Sequence, residues 1–271
     1  MFHPPADRCA VMGILNVTPD SFSDGGQYMS RERAVMHAEQ MLESGADLLD
    51  VGGESTRPGA TPVDLEEESS RILPVIQALA IRGCPLSIDT TKPELARRAI
   101  LEGACFVNDV SGGSEEMFQV ITSSDVSYAI MHAQGTPQTM QINPNYCDVC
   151  QEVFGMLLRR VQELGLPKNR VWVDPGIGFG KTTEHNLELL RNLEQLTGHP
   201  VLVGVSRKAM IGRILRSEEN PLPVAERGAG TLALEVVAMM KGARMVRTHD
   251  VRPTAQASRV LGRLLESSSG F

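Results

Sequence analysis

Short apolar runs alternate with helix-length segments from one end of the chain to the other. The runs occupy residues 10–16, 47–51, 86–89, 105–109, 128–132, 171–174, 201–205 and 245–248. Each is continuously apolar over most of its length, the pattern of a strand buried on both faces of a parallel sheet. The segments between them carry helix punctuation. Residues 31–44 place Ala34, Val35, Ala38, Met41 and Leu42 on one face and stop at Gly45, a natural C-terminal cap. Asp64 to Glu67 reads as a capping box opening an acidic first turn, and Thr91-Lys-Pro-Glu94 reads the same way, with Pro93 where its missing N–H costs little. Pro74 predicts a kink or break in the helix begun near Asp64. After the seventh run the helical segment divides into 209–216 and 224–241 around a proline-rich break.

Eight strands alternating with helices, with no linker or change of composition, predict an α/β fold. The expected form is a single (β/α)8 TIM barrel with its active site at the C-terminal mouth of the strands. A doubly wound open sheet is the alternative. One domain is expected over 1–271, the barrel at about 10–265 and a short tail at 267–271.

Composition narrows the function classes. The chain has 271 residues, 42% hydrophobic and 22% charged, which argues against disorder. A chain of this length buries roughly three quarters of its unfolded surface, enough for a self-sufficient core. Its 26 basic and 33 acidic side chains give a net charge of −7, so nucleic acid is not an expected partner. No run of apolar residues is long enough for a membrane span, and the N-terminus lacks a signal-peptide pattern. Five cysteines do not make a disulfide framework. A cytoplasmic protein is expected.

Polar residues stand where the strands end: Asn16, Asp50, Asp89, Asn108 with Asp109, His132, Asp174, Ser206-Arg-Lys208, and Arg247 with His249. Any one of them is ordinarily a turn or cap residue. Eight in eight strands would converge on the barrel mouth and define a site. Asp89, Asn108 and Asp174 offer acceptors to a ring edge rich in N–H donors. Lys208, Arg247 and His249 suit an anion such as phosphate. The acidic side leaves room for Mg2+, which binds through a few oxygens and substrate phosphates. Two polar, glycine-rich loops, 18–26 and 52–59, are suited to close over such a mouth.

Met12-Gly-Ile-Leu-Asn-Val-Thr-Pro-Asp-Ser-Phe-Ser-Asp-Gly-Gly26 and Asp50-Val-Gly-Gly-Glu-Ser-Thr-Arg-Pro-Gly59 resemble the two signatures of the dihydropteroate synthase family. Ile88-Asp-Thr-Thr-Lys-Pro93, Val107-Asn-Asp109, Met131-His132 with Gly135-Thr-Pro137, Asp174-Pro-Gly-Ile-Gly-Phe-Gly-Lys181, Ser206-Arg-Lys208 and Arg247-Thr-His-Asp250 follow in that family's order, so the resemblance spans about 11–252. It implies that a dihydropterin carrying a CH2-diphosphate loses pyrophosphate and p-aminobenzoate takes the methylene, giving 7,8-dihydropteroate for folate biosynthesis by an SN1-like, Mg2+-assisted route.

By the same resemblance Asp174 and Asn108 grip the pterin edge, and Asp89 contacts the ring and stabilises its developing positive charge. Lys208 reaches the acceptor side of the ring, and Arg247 covers its face and reaches the diphosphate. His249 and Asn16 belong with the phosphates, Asn16 through the metal. Thr56, Arg57, Pro58, Phe179, Ser206 and Lys208 form the p-aminobenzoate and sulfonamide pocket. Asp89, Lys208 and Arg247 carry the catalytic roles, and a homodimer is implied. Ala133 stands where many members carry a second methionine, which is expected to loosen one wall of the pterin pocket. Thr91 replaces a common serine, neutrally. No insertion near 56–58 points to reduced sulfonamide binding.

Other motifs compete less well. Pro175 breaks the spacing of a phosphate loop at Gly176 to Thr182, and Cys147-Asp-Val-Cys150 lacks a second pair for zinc. Lys208 as a Schiff-base lysine is weakened by Arg207 beside it. His37 reads as a surface residue, His185 and His199 as cap or loop residues, and methionines such as Met239 and Met240 as core filling. The alternatives in function are a pterin-binding methyltransferase-type barrel and a non-catalytic pterin-binding barrel.

Overall fold

The computed structural model describes residues 1–18, 26–55 and 59–266, without the side chains of 26–30 and 266. Eight parallel strands form its centre: β1 Ala10–Asn16, β2 Leu48–Gly52, β3 Leu86–Asp89, β4 Phe106–Asp109, β5 Ser127–Met131, β6 Val171–Asp174, β7 Leu202–Val203 and β8 Met245–Thr248. Their order is β6-β5-β4-β3-β2-β1-β8-β7, and a parallel bridge between Val173 and Val201 joins the two ends into a ring. The helices are α1 Gly26–Glu43, α2 Leu65–Ala80, α3 Pro93–Leu101, α4 Glu115–Thr122, α5 Val149–Leu164, α6 Thr183–Arg191, α7 Ala209–Leu215, α8 Gly228–Met240 and α9 Val251–Glu266. This is the expected (β/α)8 TIM barrel, with the two-part connection after β7 at α7 and α8.

Local signals mostly act as read. Asp64 caps α2 through the Glu67 N–H at 2.9 Å. Gly45 follows α1 with φ +103°, and Ala34, Val35, Ala38 and Met41 are buried. His185 and Thr182 form the capping box of α6. Four expectations are corrected. Pro74 does not break α2, because Ile72, Val75, Ile76 and Leu79 form a buried stripe that outweighs one lost backbone bond. Thr91 does not cap α3; Lys92 holds that position without a side-chain cap, its ammonium being engaged with Glu54 and Glu68. β7 is two residues long, because the chain turns over where the Lys208 N–H bonds Val205 O at 3.2 Å. Met240 is 64% exposed, although Met239 is core.

Two apolar layers result. The larger lies between strands and helices. The smaller fills the lower barrel with Ala10, Met12, Leu48, Phe106, Ala129, Trp172, Leu202 and Met245. Phe2 closes that end, its ring 6.3 Å from those of both Phe106 and Trp172.

Candidate active site

Side chains alternate along a strand, so the residue two beyond each plug residue also faces the barrel axis, one layer higher. Leu48 leads to Asp50, Phe106 to Asn108, Trp172 to Asp174 and Met245 to Arg247. The polar layer therefore rests directly on an apolar plug. It lies at the C-terminal ends of the strands, and Asp50, Asn108 and Asp174 are 0%, 2% and 6% exposed.

Asp50 organises one half of this layer. Its carboxylate accepts from Ser87 Oγ at 2.5 Å, Asn108 Nδ2 at 2.9 Å and Arg247 Nε at 2.6 Å. The Asn108 bond directs the amide nitrogen towards Asp50 and its oxygen the other way, as an acceptor. Arg247 also donates from a terminal nitrogen to Asp89 Oδ2 at 2.6 Å, so one guanidinium bridges two carboxylates. Burial pushes the Asp89 carboxyl up, and the Arg247 charge pulls it back towards the ionised form.

The opposite half is built from the segments after β6 and β7. The Asp174 carboxylate accepts the Gly176 N–H at 2.7 Å. Burial pushes its pKa up to about 6, opposed by that N–H and by Lys208, Lys181 and Arg247. The Lys208 ammonium sits 4.0 Å from the centre of the Phe179 ring. Burial and the Arg247 charge lower its pKa to about 8, against the pull of Asp174 and Asp89. Ser206 Oγ lies 2.9 Å from His249 Nδ1 and accepts the His249 N–H at 3.1 Å, tying the ends of β7 and β8 together.

The structure thus gathers Asp89, Asn108, Asp174, Phe179, Ser206, Lys208, Arg247 and His249 at one mouth, with Asn16 at the top of β1 beside Gly52. Thr56, Arg57, Pro58 and most of loop one lie outside the described residues. Arg207 turns away to pair with Asp250 at 2.6 Å. Among the described residues, no group of three or more His, Cys, Asp or Glu side chains is placed to hold a metal. Two contributors escaped the sequence reading. Asp50 was legible as a strand-end acid and, by its period of two from Leu48, as an inward one, but its role as hub was not. Lys181 closes a recognised motif, yet nothing in its spacing announced burial.

Buried carboxylates, an amide acceptor and paired cations gathered at the mouth define an enzyme of the (β/α)8 class with its site at the C-terminal ends of the strands. The family model described as "Pterin binding enzyme" matches residues 12–249. Dihydropteroate synthase from Escherichia coli (strain K12) is 46% identical over 258 residues, covering 93% of this chain and 90% of its own. A solved dihydropteroate synthase from Xanthomonas albilineans, with 4-aminobenzoic acid, is 43% identical with a TM-score of 0.87, covering 96% of this chain and 94% of its own. That from Burkholderia cenocepacia, complexed with 7,8-dihydropteroate, is 39% identical with a TM-score of 0.86, covering 98% and 95%. The chain belongs to the dihydropteroate synthase family, transferases of folate biosynthesis.

Proposed function

We propose that the whole chain works as one domain that condenses (7,8-dihydropterin-6-yl)methyl diphosphate with p-aminobenzoate. The observation that carries this is the single polar layer combining Asp174, Asn108 and Asp89 with Lys208 and Arg247. Asp174 and the Asn108 oxygen take the N–H groups of the pterin edge, and Lys208 donates to the ring's acceptor side. Arg247, already poised between Asp50 and Asp89, lies over the ring and meets the diphosphate together with His249.

In the reaction the methylene C–O bond breaks, and its electron pair leaves with pyrophosphate. The amine of p-aminobenzoate then forms the C–N bond and loses a proton. Asp89 faces the positive charge that grows on the dihydropterin as the C–O bond stretches. A preformed carboxylate there lowers the barrier without reorganising. Phe179, Lys208 and Ser206 line the p-aminobenzoate and sulfonamide side of the mouth, to which the family resemblance adds Thr56, Arg57 and Pro58.

The Asn16 amide oxygen would supply one protein ligand to a Mg2+ ion held mainly by the diphosphate and water. The chemistry such an ion would supply is neutralisation of charge on the leaving group.

A homodimer is supported by apolar side chains exposed on three neighbouring helices: Ile214 and Leu215 of α7, Val237 and Met240 of α8, and Val260 and Leu264 of α9. A cytoplasmic location is supported by five free cysteines. Among the described residues no helix is long and apolar enough to cross a membrane.

The deciding experiment follows pyrophosphate release from the dihydropterin diphosphate with and without p-aminobenzoate, in Mg2+ and then in EDTA. Metal-dependent release accompanied by dihydropteroate is expected. Pterin binding without release would mark a binding module instead.

A further inference from the structure

Lys181 is a buried amine without an anion in contact. Its side chain is 1% exposed, yet its ammonium lies 3.0 Å from Gly176 O, 3.0 Å from Phe179 O, 3.2 Å from His132 O and 3.0 Å from His132 Nδ1. Three carbonyls for three N–H donors is the acceptor set of a charged ammonium rather than of a neutral amine. His132 stays neutral opposite it, since burial and the Lys181 charge lower the imidazole to about 4. Burying such a charge among neutral groups is costly, and a side chain serving only to fill space would avoid it.

Two of the carbonyls it holds, Gly176 O and Phe179 O, belong to the segment that follows Asp174, and the third, His132 O, belongs to the end of β5. Residues 175–181 press against the end of β5 so closely that a Cβ at Gly176 would meet His132 O at 1.9 Å, and one at Gly180 would meet Gln134 O at 2.4 Å. Both glycines have positive φ, +67° and +65°. From outside, Gln141 donates to Gly178 O at 2.8 Å and Tyr146 to Gly180 O at 2.9 Å. Lys181 supplies the inner bonds. Burial lowers its own pKa to about 7, with Asp174 the opposing influence, so below neutrality it remains charged and acts on Asp174.

We propose that Lys181 is a positioning residue for pterin recognition: it sets a buried positive charge beside the Asp174 loop, and its bonds to Gly176 O, Phe179 O and His132 O tie that loop, which seats Phe179 against Lys208, to the end of β5. This rests on the reading of Asp174 as the acceptor of the pterin edge. The charged groups facing Asp174 are Lys181 on its own loop, Lys208 before α7 and Arg247 on β8. Lys208 and Arg247 are themselves faced by Asp89, which burial pushes up to about 7, and Arg247 also by Asp50; Lys181 is faced by His132 of the β5 end and by Lys208.

The test is calorimetric binding of 6-hydroxymethyl-7,8-dihydropterin between pH 4.5 and 8, to the wild type and to Lys181→Gln and Asp174→Asn. Wild-type affinity is expected to fall as pH drops through about 6. In Lys181→Gln, which keeps two donors and loses the charge, that limb moves up by about 1 pH unit. Asp174→Asn abolishes the limb, which identifies the titrating group.

A Lys181→Gln profile lowered equally at every pH, or unchanged, overturns the assignment. If Lys181→Gln does not fold, Lys181→Met takes its place, and loss of folding in both makes the residue a stability element and also overturns it. A wild type that binds no pterin at any pH sinks the pterin reading itself, which is a separate result.

Discussion

At the scale of single residues, the site separates groups by what their charge is for. In the proposed reaction Asp89 faces charge that develops only as pyrophosphate leaves, so Asp89→Asn should lower kcat by about 10²- to 10³-fold. Pterin affinity should fall by less than about tenfold, and equal losses in both would remove Asp89 from that role. Asp50 touches no ligand in this reading but aims Arg247 and Asn108. Asp50→Asn should cost about 10²-fold in kcat/KM with the fold intact by circular dichroism. Full activity would show that Arg247 needs no such guide.

In the proposed site Lys208, lowered to about 8, holds the ring's acceptor side most strongly while protonated. Pterin affinity should therefore fall as pH rises through about 8, and Lys208→Ala should remove this alkaline limb and weaken sulfonamide binding. The types of these residues were legible in the sequence because strand ends in a barrel share one mouth. Asp50's function was not, since its partners Ser87, Asn108 and Arg247 lie 37, 58 and 197 residues away.

At the scale of elements, helices α8 and α9 enclose a second buried acid. Glu235 is 0% exposed and accepts from Thr254 Oγ1 at 2.7 Å. Burial raises its pKa to about 7, above the value of an unfolded glutamate, against the bonds from Thr254 and Thr248. The raised folded value means that its contribution is fully present below about pH 4.5 and is lost as pH rises through about 7. Glu235→Gln keeps the acceptor and cannot ionise. It should match the wild type near pH 4.5 and be more stable at pH 8 by up to about 3 kcal/mol, read from chemical denaturation. A gain that does not depend on pH would dismiss this account. Strand identities and most helix caps followed from local pattern, whereas the continuity of α2 through Pro74 did not. Tertiary burial of one helix face decided it against a local signal.

At the scale of the whole molecule, the exposed apolar side chains of α7, α8 and α9 are where a second copy would sit. The pair of substitutions Val237→Asp and Met240→Lys should yield a monomer by light scattering, with the melting of the barrel little changed. An unchanged mass would move the interface elsewhere. The sequence by itself determined the alternation of strands and helices and the polar strand ends. These depend on periodicity, which local geometry imposes on any chain with this pattern. Only the tertiary structure decided that one guanidinium bridges Asp50 and Asp89, that Ser206 meets His249, and that Lys181 is sealed beneath the Asp174 loop. Those contacts depend on strand register around a closed ring, where a displacement of one residue would turn each inward group outward, and no local pattern encodes that choice.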